Sequence, residues 1–117
     1  MEYKEITFEK DGGVARLTMN KPPVNVIGLP MMEEMIDAVG RVGADPSVRL
    51  LLFRAEGKAF SAGMDIGDHT PERAPLMMDA FNRLFIALER LDCATMAAVD
   101  GAALGGGCEL VMACDMV

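Results

Sequence analysis

The sequence predicts a layered α/β fold with elements in the order ββ-α-β-α-β-α. Three observations predict it: two short alternating segments joined by a glycine turn, two long stretches whose apolar residues recur at helical spacing, and short apolar runs after each of them.

Residues 2–9 and 13–20 read as strands, because Val14, Leu17 and Met19 fall in an alternating apolar pattern and Asp11-Gly12-Gly13 supplies a tight turn. Lys21-Pro22-Pro23 ends the second strand, since proline cannot donate to a ladder and restricts the residue before it. Asn25-Val26-Ile27-Gly28 then reads as a loop. Pro30 suits a first helical turn, and Leu29, Met32, Met35, Ile36, Val39 and Val42 trace one face as far as Gly43. Val48 to Arg54 is an almost continuous apolar run between Pro46 and Gly57, the mark of an interior strand buried on both faces. A loop from Ala55 to Thr70 follows. Thr70-Pro71-Glu72 resembles a capped helix start, with Leu76, Ala80, Leu84, Ala87, Leu88 and Leu91 on one face to about Asp92. Met96 to Val99 reads as a short strand, Asp100-Gly101 as a turn, and a glycine-rich helix opens near Gly105.

At 117 residues, 51% of them hydrophobic, the chain can close one core. A net charge of −7 with scattered basic residues opposes binding to nucleic acid. No apolar run approaches the ~20 residues of a bilayer helix, so a membrane is not an expected partner. The first residues, Met1-Glu2-Tyr3-Lys4-Glu5, lack the basic and apolar regions of a secretory signal, and the expected location is the cytoplasm. Cys93, Cys108 and Cys114 match no metal-ligand spacing, so they read as buried free thiols and no metal is expected. Eleven methionines and no tryptophan point to a Met-rich core, a Met-lined pocket or an apolar face covered by another chain.

The most informative segment is Ala102-Ala103-Leu104-Gly105-Gly106-Gly107-Cys108-Glu109-Leu110-Val111-Met112-Ala113-Cys114. Glycines at a helix start let backbone N–H groups approach a ligand oxygen, and the helix terminus adds partial positive charge where an oxyanion would form. Glu109, set in an apolar run and expected to be buried, is placed to move a proton. A glutamate in a first helical turn also complements the helix dipole, so the segment alone leaves both roles open.

Two other chemistries are weaker. Ser61 with His69, the single histidine, would make a nucleophile and base, yet Phe60-Ser61-Ala62-Gly63 lacks the G-x-S-x-G elbow. Gly105-Gly106-Gly107 satisfies neither dinucleotide nor P-loop spacing.

Lys58 to Ile66 (KAFSAGMDI) and Ala98 to Asp115 (AVDGAALGGGCELVMACD) together resemble the crotonase superfamily, the enoyl-CoA hydratase/isomerase fold. Pro22-Pro23-Val24-Asn25-Val26 is similar to the family's proline-asparagine turn before the first helix. The resemblance implies a crotonase-like ββα spiral, of which residues 1–117 form the N-terminal portion, ending before a second catalytic glutamate and the C-terminal helices. It implies an acyl-CoA thioester as ligand, with the thioester oxygen held by the backbone N–H groups of Met64 and Gly106 and with Glu109 as a catalytic carboxylate. It further implies that Lys58 lies near the CoA phosphates and Ala62 and Ile66 beside the adenine. Coenzyme A enters as part of the substrate, so no separate cofactor is expected, and a homo-oligomer, trimeric or hexameric, is the expected assembly. Asp65 to Arg73 and the ALGGGCEL helix look most like cyclohexa-1,5-diene-1-carbonyl-CoA hydratases. The expected reaction is hydration of an enoyl-CoA or cyclic dienoyl-CoA. The alternatives are enoyl-CoA isomerisation and a non-catalytic half that binds CoA esters or a partner subunit.

Overall fold

The computed structural model describes residues 1–68 and 70–117. Strands β1 (Ile6–Asp11) and β2 (Val14–Met19) form the expected antiparallel hairpin, with Phe8 opposite Leu17. Strand β3 (Val26–Ile27) leads into helix α1 (Leu29–Gly43), and strand β4 (Leu50–Ala55) follows. Strand β5 (Gly63–Met64), a short 3-10 turn at Ile66–Asp68, helix α2 (Ala74–Glu89), strand β6 (Ala94–Ala97) and helix α3 (Gly106–Met112) complete the chain.

The main sheet has the order β1-β2-β4-β6, parallel from β2 onward, so β4 is interior as its composition requires. The register aligns alternate residues across all four strands. Phe8, Leu17, Phe53 and Ala97 make one row, and Ala15, Leu51 and Thr95 another. These residues face the helices, and Leu17, Leu51 and Phe53 are fully buried against Met31, Met32, Met35, Val39, Ala80 and Leu84. The opposite face of β4 is less covered: Leu50 and Leu52 are half-buried and Arg54 is exposed. The apolar run therefore reflects one buried face and one partly covered face, rather than two buried ones.

Several boundaries differ from the sequence expectation. Val26 and Ile27 are a strand, not a loop, and pair in parallel with Gly63 and Met64 in a separate two-stranded sheet. Helix α2 begins at Ala74, because Thr70 closes a preceding turn: its carbonyl and hydroxyl oxygens accept from the N–H of Arg73, and its carbonyl also accepts from Ala74. Leu76 is consequently 55% exposed, and Met77 takes the inward position with Ala80, Leu84 and Leu88. Strand β6 starts and ends two residues earlier than expected. The three cysteines are free, as expected, but half-buried rather than fully buried. Burial pushes the Cys114 thiol up to about 11. No described helix is long and apolar enough to cross a membrane.

Candidate active site

Two loops are tied together by backbone hydrogen bonds. The N–H of Ala62 donates to Val24 O at 2.9 Å and that of Asp65 to Ile27 O at 2.9 Å, fixing the segment around Met64 against β3. On its other side, Ser61 N–H donates to Ala102 O at 3.2 Å and Leu104 N–H donates to Ser61 O at 2.9 Å, which brings in the approach to α3. Ser61 is thus a bridge between 24–27 and 102–106. Its hydroxyl, fully buried, donates to Asn25 O at 2.8 Å and accepts from Gly63 N–H at 3.1 Å. A hydroxyl so committed is structural, in line with the missing elbow that made the nucleophile reading the weaker one; His69 lies outside the described residues.

Asn25 holds the near end of this frame. Fully buried, with φ at +52°, it accepts from Lys21 N–H through Oδ1 at 2.8 Å. Its amide nitrogen donates to Glu56 O and, at 3.0 Å, to Ala59 O. Sequence reasoning assigned Asn25 to a turn without seeing this clasp. The signal available was an asparagine after a proline pair, a residue type that tolerates positive φ.

The frame presses Met64 onto the start of α3. A Cβ built on Gly106 would lie 2.8 Å from Met64 Sδ and 3.4 Å from Phe81 Cε2, so the missing side chain at 106 is the space that the thioether fills. Gly63, at φ +105°, brings its Cα within 4.0 Å of where a Cβ on Gly105 would be. Gly106 is the first residue of α3, so its N–H has no acceptor within the helix. Met64 and Gly106, which the resemblance pairs, are thus neighbours.

Glu109 is exposed, which corrects the expected burial. Helix α3 turns Gly106, Gly107 and Leu110 toward the core and leaves Glu109 on the side facing α2. There it borders a 290 Å³ hollow lined by Met64, Ala74, Met77, Met78 and Phe81. An adjoining 470 Å³ hollow continues past Glu109 along Asn82, Phe85 and Met112. A carboxylate at the rim of an apolar groove, one helical turn beyond a glycine N–H, can exchange protons with a ligand whose oxygen is held at Gly106. Lys58, Ala62 and Ile66 are all exposed and lie before and after Met64 in the chain; none lines either hollow.

Residues 9–117 match the family described as Enoyl-CoA hydratase/isomerase. The crotonyl-CoA hydratase of Syntrophomonas wolfei is 38% identical over 98% of this chain, a stretch covering 46% of the relative. The trans-2-decenoyl-acyl-carrier-protein isomerase of Streptococcus mutans is 32% identical over 98% of this chain and 47% of the relative. Among solved structures, Pseudomonas aeruginosa DspI superposes with a TM-score of 0.91 at 32% identity, covering 98% of this chain and 45% of that one. The chain therefore spans about half the length of the curated relatives it matches. Since the match takes in the sheet, the glycine-opened helix and the paired loops that set Met64 beside Gly106, the chain belongs to the enoyl-CoA hydratase/isomerase, or crotonase, family.

Proposed function

We propose that this chain binds an acyl-CoA thioester across the junction of β5 and α3, and that Glu109 moves a proton during hydration of an enoyl-CoA. The observation that carries the reading is the contact between Met64 and Gly106, one helical turn ahead of Glu109 at the rim of an apolar hollow. In this reading the N–H groups of Met64 and Gly106 donate to the thioester oxygen. They stabilise the negative charge that gathers there when water adds at the β-carbon and an enolate forms. Losing one such donor costs about 3 kcal/mol of transition-state stabilisation. Glu109 takes the proton of the attacking water. The proton that the α-carbon of the enolate then needs comes from the paired carboxylate of a hydratase, assigned to residues other than 1–117. Lys58 faces the CoA phosphates, with Ala62 and Ile66 beside the adenine. Cyclic dienoyl-CoA esters are the finer substrate class, on the resemblance of residues 65–73 and of the α3 segment. A cytoplasmic homo-oligomer, as the resemblance implies, is the setting.

A second reading is double-bond migration, as in the Streptococcus mutans relative's name. Among the described residues, Glu109 is the one acidic side chain lining either hollow. A single carboxylate suffices to lift a proton from the α-carbon of an enoyl thioester, leaving a dienolate, and to return it at the γ-carbon.

The test uses this chain alone and fused to the remaining length of the Syntrophomonas wolfei relative, assayed for hydration and isomerisation of crotonyl-CoA and a cyclic dienoyl-CoA. Glu109→Gln should abolish turnover while keeping ester affinity, since the amide preserves shape but not basicity. Gly106→Pro, acceptable at a first helical position, removes the donor, and Gly106→Ala adds a similar Cβ while keeping it. Turnover should fall at least a hundredfold further in the proline variant than in the alanine one, the scale of a lost oxyanion donor at roughly 10²–10³. Unimpaired turnover in Glu109→Gln would remove its assigned role.

A further inference from the structure

We propose that a hollow at the far end of the sheet from the candidate active site binds a small organic monocarboxylate, its carboxylate held by Arg49 and Arg90 and its apolar body by Val42, Val48 and Leu91. The proposal is independent of the acyl-CoA reading. The hollow, 390 Å³ in volume, is walled by the chain just before β4 and just before β6, whereas segments 61–65 and 102–106 come after those strands. Because β4 and β6 run parallel, the two places lie at opposite ends of the sheet. Main-chain bonds fix this end: Arg49 N–H donates to Gly13 O at 2.7 Å, and Ala94 N–H donates to Arg49 O at 3.3 Å. The Arg49 stem lies against Gly13, where a Cβ would stand 3.0 Å from its Cγ. Arg90 closes α2 and borders the same hollow.

Charge distinguishes this hollow from the others. Among the described residues neither guanidinium has a hydrogen bond or an ion pair. The helix ends beside them do not need them: Gly40 O and Val42 O accept from the N–H groups of Ala44 and Asp45, and Ile86 O and Leu88 O from those of Arg90 and Leu91. Of the two carboxylates in the lining, Asp45 is bound by Lys10 and Ser47, which leaves Asp92 as the one uncommitted acid there among the described residues. Burial pushes the Cys93 thiol up, so it faces the hollow uncharged at pH 7. Two uncommitted guanidiniums against one carboxylate leave a single positive charge, opposite in sign to the chain's −7. That excess suits a monoanion, and arginine's planar fork suits a carboxylate. Val42 and Val48, 4% and 7% exposed, and the half-buried Leu91 give the hollow an apolar wall for the rest of the ligand. Its volume falls within the ~300–1,000 Å³ of small-molecule sites.

The test measures binding of hexanoate, hexanamide and inorganic phosphate to this chain by calorimetry at pH 7. Hexanoate should bind saturably. Hexanamide, which keeps the shape without the charge, and phosphate, which has the charge without the apolar body, should each bind about tenfold more weakly or worse. Arg49→Gln and Arg90→Gln keep the aliphatic stems and remove the charge; each should weaken hexanoate about tenfold or more, the scale of a lost charge-assisted hydrogen bond. Arg90→Lys should recover part of that loss, since an ammonium restores the charge but not the fork. Both arginines are exposed, so the variants should unfold in urea as the unsubstituted chain does. Hexanoate affinity unchanged in both glutamine variants places the ligand elsewhere and overturns the proposal. Absence of saturable hexanoate binding, or hexanamide or phosphate binding as tightly as hexanoate, overturns it equally.

Discussion

A Cβ on Gly107 would stand 2.6 Å from Ser61 Cβ and 3.0 Å from its carbonyl oxygen, both parts of the buried bridge between the two loops. Neither can retreat without breaking the bonds of Ser61 to Asn25 and Gly63. Gly107→Ala should therefore destabilise the chain by about 1–3 kcal/mol or more, read from urea unfolding. Gly40 is the contrast: it lies inside α1, is exposed, and nothing lies within 4 Å of its added Cβ. Gly40→Ala should raise stability by roughly 0.4–1 kcal/mol in the same assay. At this scale the site was partly legible. The pattern of the segment singled out the glycine run 105–107 and Glu109, and the resemblance named Gly106 within it, but the exposure of Glu109 follows from which side of a seven-residue helix meets the core, and apolar flanks conceal that. Ser61 was set aside as a nucleophile for want of the G-x-S-x-G elbow, but its bridging role was not legible, because a hydroxyl's commitment depends on partners such as Asn25, 36 residues away.

Helix α1 buries one carboxylate on its inward stripe. Glu34, 7% exposed, accepts from the backbone N–H groups of Lys4 and Glu5, each at 2.9 Å, and of Ile6 at 3.3 Å. It thereby clasps the entry to β1. Hydrogen bonds to a charged acceptor contribute ~1.5–3 kcal/mol, so Glu34→Ala should lose about that much. Amide exchange at residues 4–6 should accelerate, and Glu34→Gln should restore part of the protection. The clasp had a sequence signal, since Glu34 sits three residues after Met31 and four before Ala38 on the buried face, yet a charge in a helix is ordinarily read as solvated. The hairpin, α1 and β4 were legible because their periodicities extend over whole elements. Strands β3 and β5 have two residues each, too few for any period, and exist only through pairing with each other. The start of α2 was misplaced because Thr70-Pro71 closes a turn with the same residue types that cap a helix.

The acid stability of the whole molecule has one specific contributor in Asp45, which joins the α1–β4 connection to β1. Hydrogen bonds from Lys10, at 2.8 Å, and from Ser47 hold its carboxyl down to about 2. The unfolded chain's Asp titrates near ~3.9, so between these values the unfolded state binds more protons and stability rises with pH. The contribution is fully present above the unfolded value and is lost as pH falls toward 2. Asp45→Asn should lower Tm at pH 7, with the deficit shrinking below about pH 4, vanishing near the folded value, and reduced by added salt because the pair is solvent-exposed. The site's frame has another kind of consequence. Segments 24–27, 61–65 and 102–106 are joined largely by main-chain bonds, which no substitution short of proline deletes. Residues such as Ala62, Met64 and Ile66 can thus be exchanged over generations while those bonds stay in place. A lineage built on this scaffold can change what its surface accepts without first passing through an ancestor that fails to fold.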